Sequence, residues 1–417
     1  MLKLPIINYT RNKTMKKRIL PVIISICLLT GCTQTQIVVD SSDNNSSSDV
    51  ENNSSDGQSS SEDTSEPDSD PEPIENPTVR LICAGDNLIH STLYKQALQR
   101  TGGNGYDFRP VYEEVADLIK NADYAILNQE TIITNKFEPS NWPDFVTPED
   151  CGDQMVELGF DAMSVSNNHL LDRGIEGLAA TLEYWSEKHP EILVYGACAK
   201  EKEDDIPVVD INGITFAFLG FMEHTNEHVF PRNSDYSITY LYETERIERL
   251  VRKADGLADV VVVSPHYGIE TIGEVSASQK QITQDLVNWG ADIIIGTQAH
   301  TVQPMEYVTK PDGGEAFVFY CLGNLVSHMD QALGMIGMLG EITVTKDLKT
   351  GEIILSEPEA IPIVTHYDNN SSHSNLKIYR WENYTEELAS KHGCPGFTYN
   401  LAKNTIEKRL QIVDYLP

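Results

Sequence analysis

The chain has 417 residues, enough for one large domain with appendages, and its 63 Asp and Glu against 31 Lys and Arg give a formal net charge of −32. That sign excludes a nucleic-acid partner, because a phosphate backbone demands the opposite charge. The surplus acid suits an exported protein kept soluble beside a cation-rich wall or metal ions.

Lys16-Lys17-Arg18 precedes the apolar run 19–29, which closes in Leu29-Thr30-Gly31-Cys32. A basic segment, a short apolar segment and a small-residue cleavage point make a secretory signal, and the run is too short to span a bilayer. The last four residues resemble a bacterial lipobox. That resemblance implies cleavage before Cys32, acylation of its thiol, and an exported, extracytoplasmic protein anchored to the membrane by its N-terminal lipid. Residues 1–32 thus read as a lipoprotein signal peptide, with Met15, directly before the basic cluster, as an alternative start. Residues 33–77 are mostly Ser, Asn, Asp, Glu and Pro with no Lys or Arg. Such a segment buries too little apolar surface to offset its ordering entropy and reads as a disordered acidic tether. Cys83 and Cys321 sit in apolar strand patterns and are expected to be buried thiols. No CxxC spacing occurs, so neither a disulfide framework nor a structural zinc site is indicated.

The folded domain is expected over 78–345. The apolar segment 78–84 is a strand that ends in Gly85-Asp86, and a helical pattern follows with Tyr112, Val115, Leu118 and Ile119 on one face. The strand 124–127 ends in Asn128-Gln129-Glu130. Pro148 opens a helix that turns Met155 and Leu158 inward. The strand 162–165 ends in Ser166-Asn167-Asn168-His169, and Asp172 and Gly174 lead into a helix carrying Leu178, Leu182 and Trp185. Residues 208–219 form a hairpin about Asn212-Gly213. A helix over 243–254 precedes the valine run 260–263, which passes into Pro265-His266-Tyr267-Gly268. The helix 279–289 leads to the strand 293–295 and then to Gly296-Thr297-Gln298-Ala299-His300. The strand 316–320 precedes Leu322-Gly323-Asn324. Strands alternating with helices, some apolar on both faces, predict an α/β fold whose sheet is covered on both sides. After Lys346 the pattern is strand-like and then polar and helical. Residues 346–417 therefore read as an appendage of the same domain without a second core.

The ends of these strands carry, in order, Asp86, Glu130, Asn168 with His169, His266 and His300. Taken singly, each is more often a turn residue or a satisfied buried side chain. Jointly, two carboxylates, an amide and two imidazoles at successive strand ends point to a metal site, since open α/β folds place their sites there. Oxygen and imidazole donors without thiolate suit Mn, Fe or Zn.

In type and order, Gly85-Asp86, Asn128-Gln129-Glu130, Asn167-Asn168-His169, Pro265-His266-Tyr267-Gly268, residues 296–304 and Leu322-Gly323-Asn324 resemble the CapA family. These are the poly-γ-glutamate capsule biosynthesis proteins, or bacterial capsule synthesis PGA_cap domain, themselves similar to calcineurin-like metallophosphoesterases. The resemblance runs over roughly 79–326 and implies a metallophosphatase-like α/β/β/α sandwich, two facing sheets with helices outside. By position it implies Asp86 and His300 on a first metal, Glu130 bridging, and Asn168 and His266 on a second. A bridging carboxylate of this kind holds two cations about 3.5–4 Å apart. His169 would be the general acid or transition-state donor, with Asp172 accepting its ring N–H and fixing the tautomer. Two positions depart from the phosphoesterase pattern. The first motif reads Asp86-Asn87-Leu88 where those enzymes have Asp-x-His, and His90 substitutes only if the chain is helical there. The fifth reads Gln298-Ala299-His300, with Gln298 a weak ligand in place of an imidazole. One or two divalent ions fit this set.

The implied function is that of a lipid-anchored CapA-family protein in poly-γ-glutamate or capsule polymer synthesis, export or anchoring, with metal-dependent hydrolysis of a phosphoester or amide. Its partners would be the cell-surface polymer or other capsule-synthesis proteins. The alternative is a non-catalytic envelope assembly factor on a degenerate metallophosphatase fold. A general extracytoplasmic phosphodiesterase or nucleotidase is a third reading, but the sequence offers no separate domain to clamp a base.

Overall fold

The computed structural model describes residues 7–9 and 75–411. Cys32, the lipobox and the tether up to residue 74 lie outside the described residues. One sheet has the strand order Lys377–Arg380, Ile353–His366, Ile336–Lys346, Thr78–Asn87, Tyr124–Asn128, Ala162–Ser164 and Leu193–Tyr195, with Asn324–Val326 also paired to Thr78–Asn87. The other has the order Ile7–Tyr9, Val208–Ile211, Ile214–Met222, Val260–Tyr267, Ile293–Ile295, Glu315–Phe319 and Met305–Thr309, with Thr297–Gln298 beside Val260–Tyr267. The central strands of each sheet are parallel, so their carboxyl ends lie at one edge.

The two sheets face each other, and alternation along the strands explains why. Phe216, Phe218, Val260 and Val262 enter a core shared with Leu81, Cys83 and Ile126 of the first sheet. The intervening Ala217, Val261 and Val263 pack instead with Leu250, Val251 and Leu286 of helices Thr244–Asp255 and Ala277–Trp289. Tyr124 and Tyr195 of the first sheet each meet Phe218 of the second with ring centroids 5.6 Å apart. Helices Glu149–Leu158 and Gly174–Lys188 flank the first sheet through Met155 and Trp185. The architecture is the α/β/β/α sandwich that the motifs implied. Among the described residues, no helix is long and apolar enough to cross a membrane.

Local chemistry sets the element boundaries. Asn212 and Gly213 take φ of 53° and 87°, the left-handed pair of a tight hairpin turn between Val208–Ile211 and Ile214–Met222. Ser276 caps Ala277–Trp289 in a reciprocal pair with Gln279, at 3.1 and 3.0 Å. Pro148 stands at the cap of Glu149–Leu158, one position before the first turn. The helical pattern about Tyr112 breaks into Arg109–Tyr112, a tighter turn Glu113–Val115, and Ala116–Asn121. The segment after Lys346 contributes two strands to the first sheet and shares its core through Ile363, Val364, Ile378 and Ile406. Cys83 and Cys321 are buried free thiols.

Backbones approach closely where the first strand reaches the site. A Cβ on Gly85 would stand 1.9 Å from the Gly323 carbonyl oxygen, which accepts from the Asp86 N–H at 3.0 Å. Gly85→Ala should therefore destabilise the fold by about 3 kcal/mol or more, through overpacking that cannot relax. Gly256→Ala, where the nearest atoms are 3.7 Å away, should stay within about 0.5 kcal/mol of the parent. Urea unfolding of both variants checks the contrast.

Candidate metal centre

Parallel strands stacked in two facing sheets bring their polar ends to one place. Asp86, Glu130 and Asn168 come from the first sheet, and His266 and His300 from the second; none is more than 3 % exposed. His300 Nδ1 lies 3.0 Å from Asp86 Oδ2, and its Nε2 lies 3.5 Å from Glu130 Oε1. His266 Nε2 is 3.8 Å from the same Glu130 oxygen and 3.2 Å from Asn168 Oδ1. Asp86, Glu130 and His300 each place a ligand atom within 4.8 Å of the others.

The orphaned atoms here test whether a cation fits. Neither carboxylate oxygen of Glu130 has a hydrogen-bond donor, and Asn128 Oδ1 and Gln298 Oε1 are likewise buried without one. Leaving buried acceptors bare is costly, and more so for a charged group. A divalent cation satisfies such oxygens at once, so the donor set fits one. Without it, burial drives the Glu130 pKa well above the carboxylate range, and the Asp86 charge adds to the effect. Burial also opposes charge on Asp86 and His300, but their mutual contact prevails. Asp86 is held below its usual value, and His300 is raised to about 10 by Glu130 and Asp86. Burial keeps His266 neutral, with its pKa pushed down to about 3.

His169 stands beside this group. Its Nδ1 is 2.8 Å from Asp172 Oδ2, which also accepts from the Phe145 N–H at 2.6 Å. The Phe145 ring meets the imidazole edge-on, with centroids 4.8 Å apart. The Asp172 contact engages Nδ1 and favours the tautomer that carries its proton there.

His90 does not meet the condition for replacing the missing imidazole. It is extended (φ −69°, ψ 162°) and precedes the helix Ser91–Arg100. Its Nδ1 lies 3.2 Å from the Leu88 carbonyl oxygen and 3.2 Å from the His328 amide, and burial lowers its pKa to about 3. Leu88 itself is buried. Gln298 is buried with φ 94°, and His300 has φ 51°. Left-handed backbone at non-glycine residues costs about 1–3 kcal/mol each and persists where the surroundings over-determine it.

Several partners carried no signal strong enough to be singled out from sequence. Asn128 donates to Asp86 Oδ1 at 2.7 Å, and Thr297 Oγ1 lies 2.8 Å from His266 Nδ1. Asn324 Oδ1 is 3.0 Å from His300 Nδ1, while its amide nitrogen donates to the Gly334 carbonyl at 2.9 Å. All three lie within or beside the motifs quoted above. Asn226 comes from a loop with no pattern at all. It accepts from Asn168 Nδ2 at 3.2 Å, and its own amide nitrogen lies 3.4 Å from His169 Nδ1.

Comparison with known sequences places this geometry. The family described as bacterial capsule synthesis protein PGA_cap matches residues 80–329. The chain belongs to that family. The PGA_cap region contains Asp86, Glu130, Asn168, His169, His266 and His300 together. The chain is 25 % identical over 219 residues to the PGA biosynthesis protein CapA of Bacillus subtilis, covering 52 % of this chain and 56 % of that one. It is 26 % identical over 316 residues to the capsule biosynthesis protein CapA of Bacillus anthracis, covering 72 % and 74 %. The match thus spans little more than half the length of the Bacillus subtilis relative. Among solved structures, it is similar to a phosphatase from Mycoplasma pneumoniae, at TM-score 0.41 and 13 % identity over 70 % of this chain and 95 % of that one. It is also similar to a 5′-nucleotidase from Candida albicans, at TM-score 0.36 and 14 % identity over 80 % and 59 %.

If Glu130 is the central ligand, chelator should lower the melting temperature, and manganese or zinc should restore it by mass action, by about 2.7 kcal/mol at a hundred times Kd. Glu130→Gln should sharply reduce the response. A melting temperature indifferent to both chelator and cation would overturn the metal assignment.

Proposed function

We propose that this PGA_cap protein is a lipid-anchored, divalent-metal-dependent hydrolase acting on a phosphoester or amide during handling of a cell-surface polymer. The observation that carries the reading is the pair of bare, fully buried Glu130 oxygens beside the His169–Asp172 pair. Asp86, Glu130 and His300 would hold one cation. Asn168 and His266, with Gln298 as a weak donor, would hold a second. Such a cation polarises a phosphoryl or acyl oxygen and lowers the pKa of water.

The chain's own residues supply orientation and proton transfer. Asp172 takes the Nδ1–H of His169 and stabilises the imidazolium, so Nε2 presents a proton to the leaving group. Phe145 fixes the ring plane and covers the pair from water. A chain with net charge −32 is poorly suited to hold an anionic polymer by its surface charge, so anchoring of substrate rests on the cations. The assembly-factor reading is favoured by the two departures, buried Leu88 and buried Gln298, each standing where the phosphoesterase pattern has an imidazole.

His169→Ala should leave metal content intact and reduce turnover of an activated phosphodiester by about 10²–10⁴, the usual worth of general acid catalysis. If no variant and no wild-type preparation turns over any substrate while metal binds, the assembly factor is the correct reading. Anchoring is tested separately. Cys32→Ala should lose fatty-acid labelling, and labelling equal to wild type would sink the lipoprotein assignment.

A further inference from the structure

A second group of potential ligands includes Asp172, the partner of His169. Asp144, Asp172 and His228 each place a ligand atom within 4.8 Å of the others. They come from three segments: the loop before Phe145, the turn before Gly174–Lys188, and the loop that follows Ile214–Met222. His228 Nε2 lies 3.0 Å from Asp144 Oδ1. Arg173 Nη1 lies 3.3 Å from the other Asp144 oxygen, Oδ2, and so offsets only part of the acid.

The decisive atom is on Asp172, which is 2 % exposed. Its Oδ2 is already occupied by the Phe145 N–H and His169 Nδ1. Its Oδ1 is buried with no donor at all. Buried carboxylate oxygens are ordinarily paired, so a bare one on a residue grouped with a second carboxylate and an imidazole calls for a ligand. Loop packing alone does not account for it, because the His228–Asp144 contact joins the two loops without using Asp172.

We propose that Asp144, Asp172 and His228 form a second cation site, separate from the Asp86–Glu130–His300 centre. One imidazole and two carboxylates suit a divalent transition-series ion such as zinc or manganese. Asp144 and His228 are partly exposed, so water completes the coordination. Two carboxylates set against one guanidinium leave a single negative charge, so this site binds more weakly than the buried centre. A cation here would tie the Asp144 loop to the His228 loop around His169. Any effect on His169 chemistry rests on the hydrolase reading above, whereas the site itself does not.

Calorimetric titration of zinc into the chelator-treated full-length protein, in detergent, tests the proposal. Wild type should show a first phase, from the one or two ions of the Asp86–Glu130–His300 centre, and a second, weaker phase. Asp144→Asn and His228→Ala should each weaken the second phase at least tenfold and spare the first. Glu130→Gln should remove the first and spare the second, whether or not the protein turns over any substrate. If Asp144→Asn and His228→Ala titrate like wild type and lose only melting temperature, the cluster is a plain ion pair between loops and the proposal is overturned. A single phase in wild type that Glu130→Gln abolishes overturns it equally. Should near-UV circular dichroism show His228→Ala to be misfolded, His228→Gln, which keeps a hydrogen-bonding group toward Asp144, takes its place under the same two outcomes.

Discussion

The structure depends on burying two carboxylates, Asp86 and Glu130, where the ends of two stacked sheets meet. Charge is expensive to bury unless it is paired and hydrogen-bonded. The fold meets part of that cost for Asp86, with Asn128 on one oxygen and His300 3.0 Å from the other, which still lacks a hydrogen-bond partner. It makes no such provision for Glu130, whose oxygens face His266 and His300 at distances too long for hydrogen bonds. That shortfall is the one a divalent cation would make good. The same junction needs backbones to touch. A Cβ on Gly296 would stand 1.9 Å from the Tyr320 carbonyl oxygen, the counterpart in the second sheet of the Gly85 approach in the first.

Much of this was legible in the sequence, for a physical reason. Strands buried on both faces must be apolar throughout, so the abrupt change from 260–263 to His266, or from 293–295 to Gln298 and His300, marks where the strand leaves the core. The ligand-bearing residues were readable because they sit at those discontinuities. The elements that were not legible lack such contrast. Ser91–Arg100 buries only Leu93 and Ala97, too few positions to show a helical period. Ile353–His366 was legible as strand-like, but its place in the sheet was not, because Pro358 and Pro362 argue against an inner strand. It is accommodated by a register shift between Glu341 and Thr343 on its partner and by φ 51° at Glu357, so its first half is mostly solvent-facing. Asn226 was invisible for another reason: its contacts are with residues more than fifty positions away, through a loop without periodicity.

The departures from the phosphoesterase pattern can be weighed against the geometry. Leu88, whose N–H donates to the Val326 carbonyl at 3.1 Å, is buried and offers the centre no donor atom. His90 is turned to other partners. A cation beside Asp86 would therefore have His300 as its imidazole, with Asn324 Oδ1 3.0 Å from that ring's Nδ1. Gln298 keeps a strained backbone although a glycine would relieve it, and its Oε1 stays bare. Strain and an unpaired acceptor at one residue are both unfavourable. Their coincidence beside His300 is hard to account for by packing alone.

Losing one imidazole to Leu88 and exchanging another for the Gln298 amide also changes which cation such a centre would prefer. Imidazole-rich sites suit zinc, whereas oxygen donors shift the balance toward harder ions. With Asp86 and Glu130 as carboxylates, Asn168 and Gln298 as amides, and only His266 and His300 as imidazoles, the donor set is two-thirds oxygen. Affinity for first-row divalent ions follows a common order for a given site, so discrimination has to come from geometry and donor type. Here the donor type leans toward manganese or ferrous iron over zinc. The charge argues the same way. Two carboxylates and four neutral donors can balance a single divalent ion, and a second then adds net positive charge. That charge would draw an anionic group into a molecule whose remaining surface is strongly acidic.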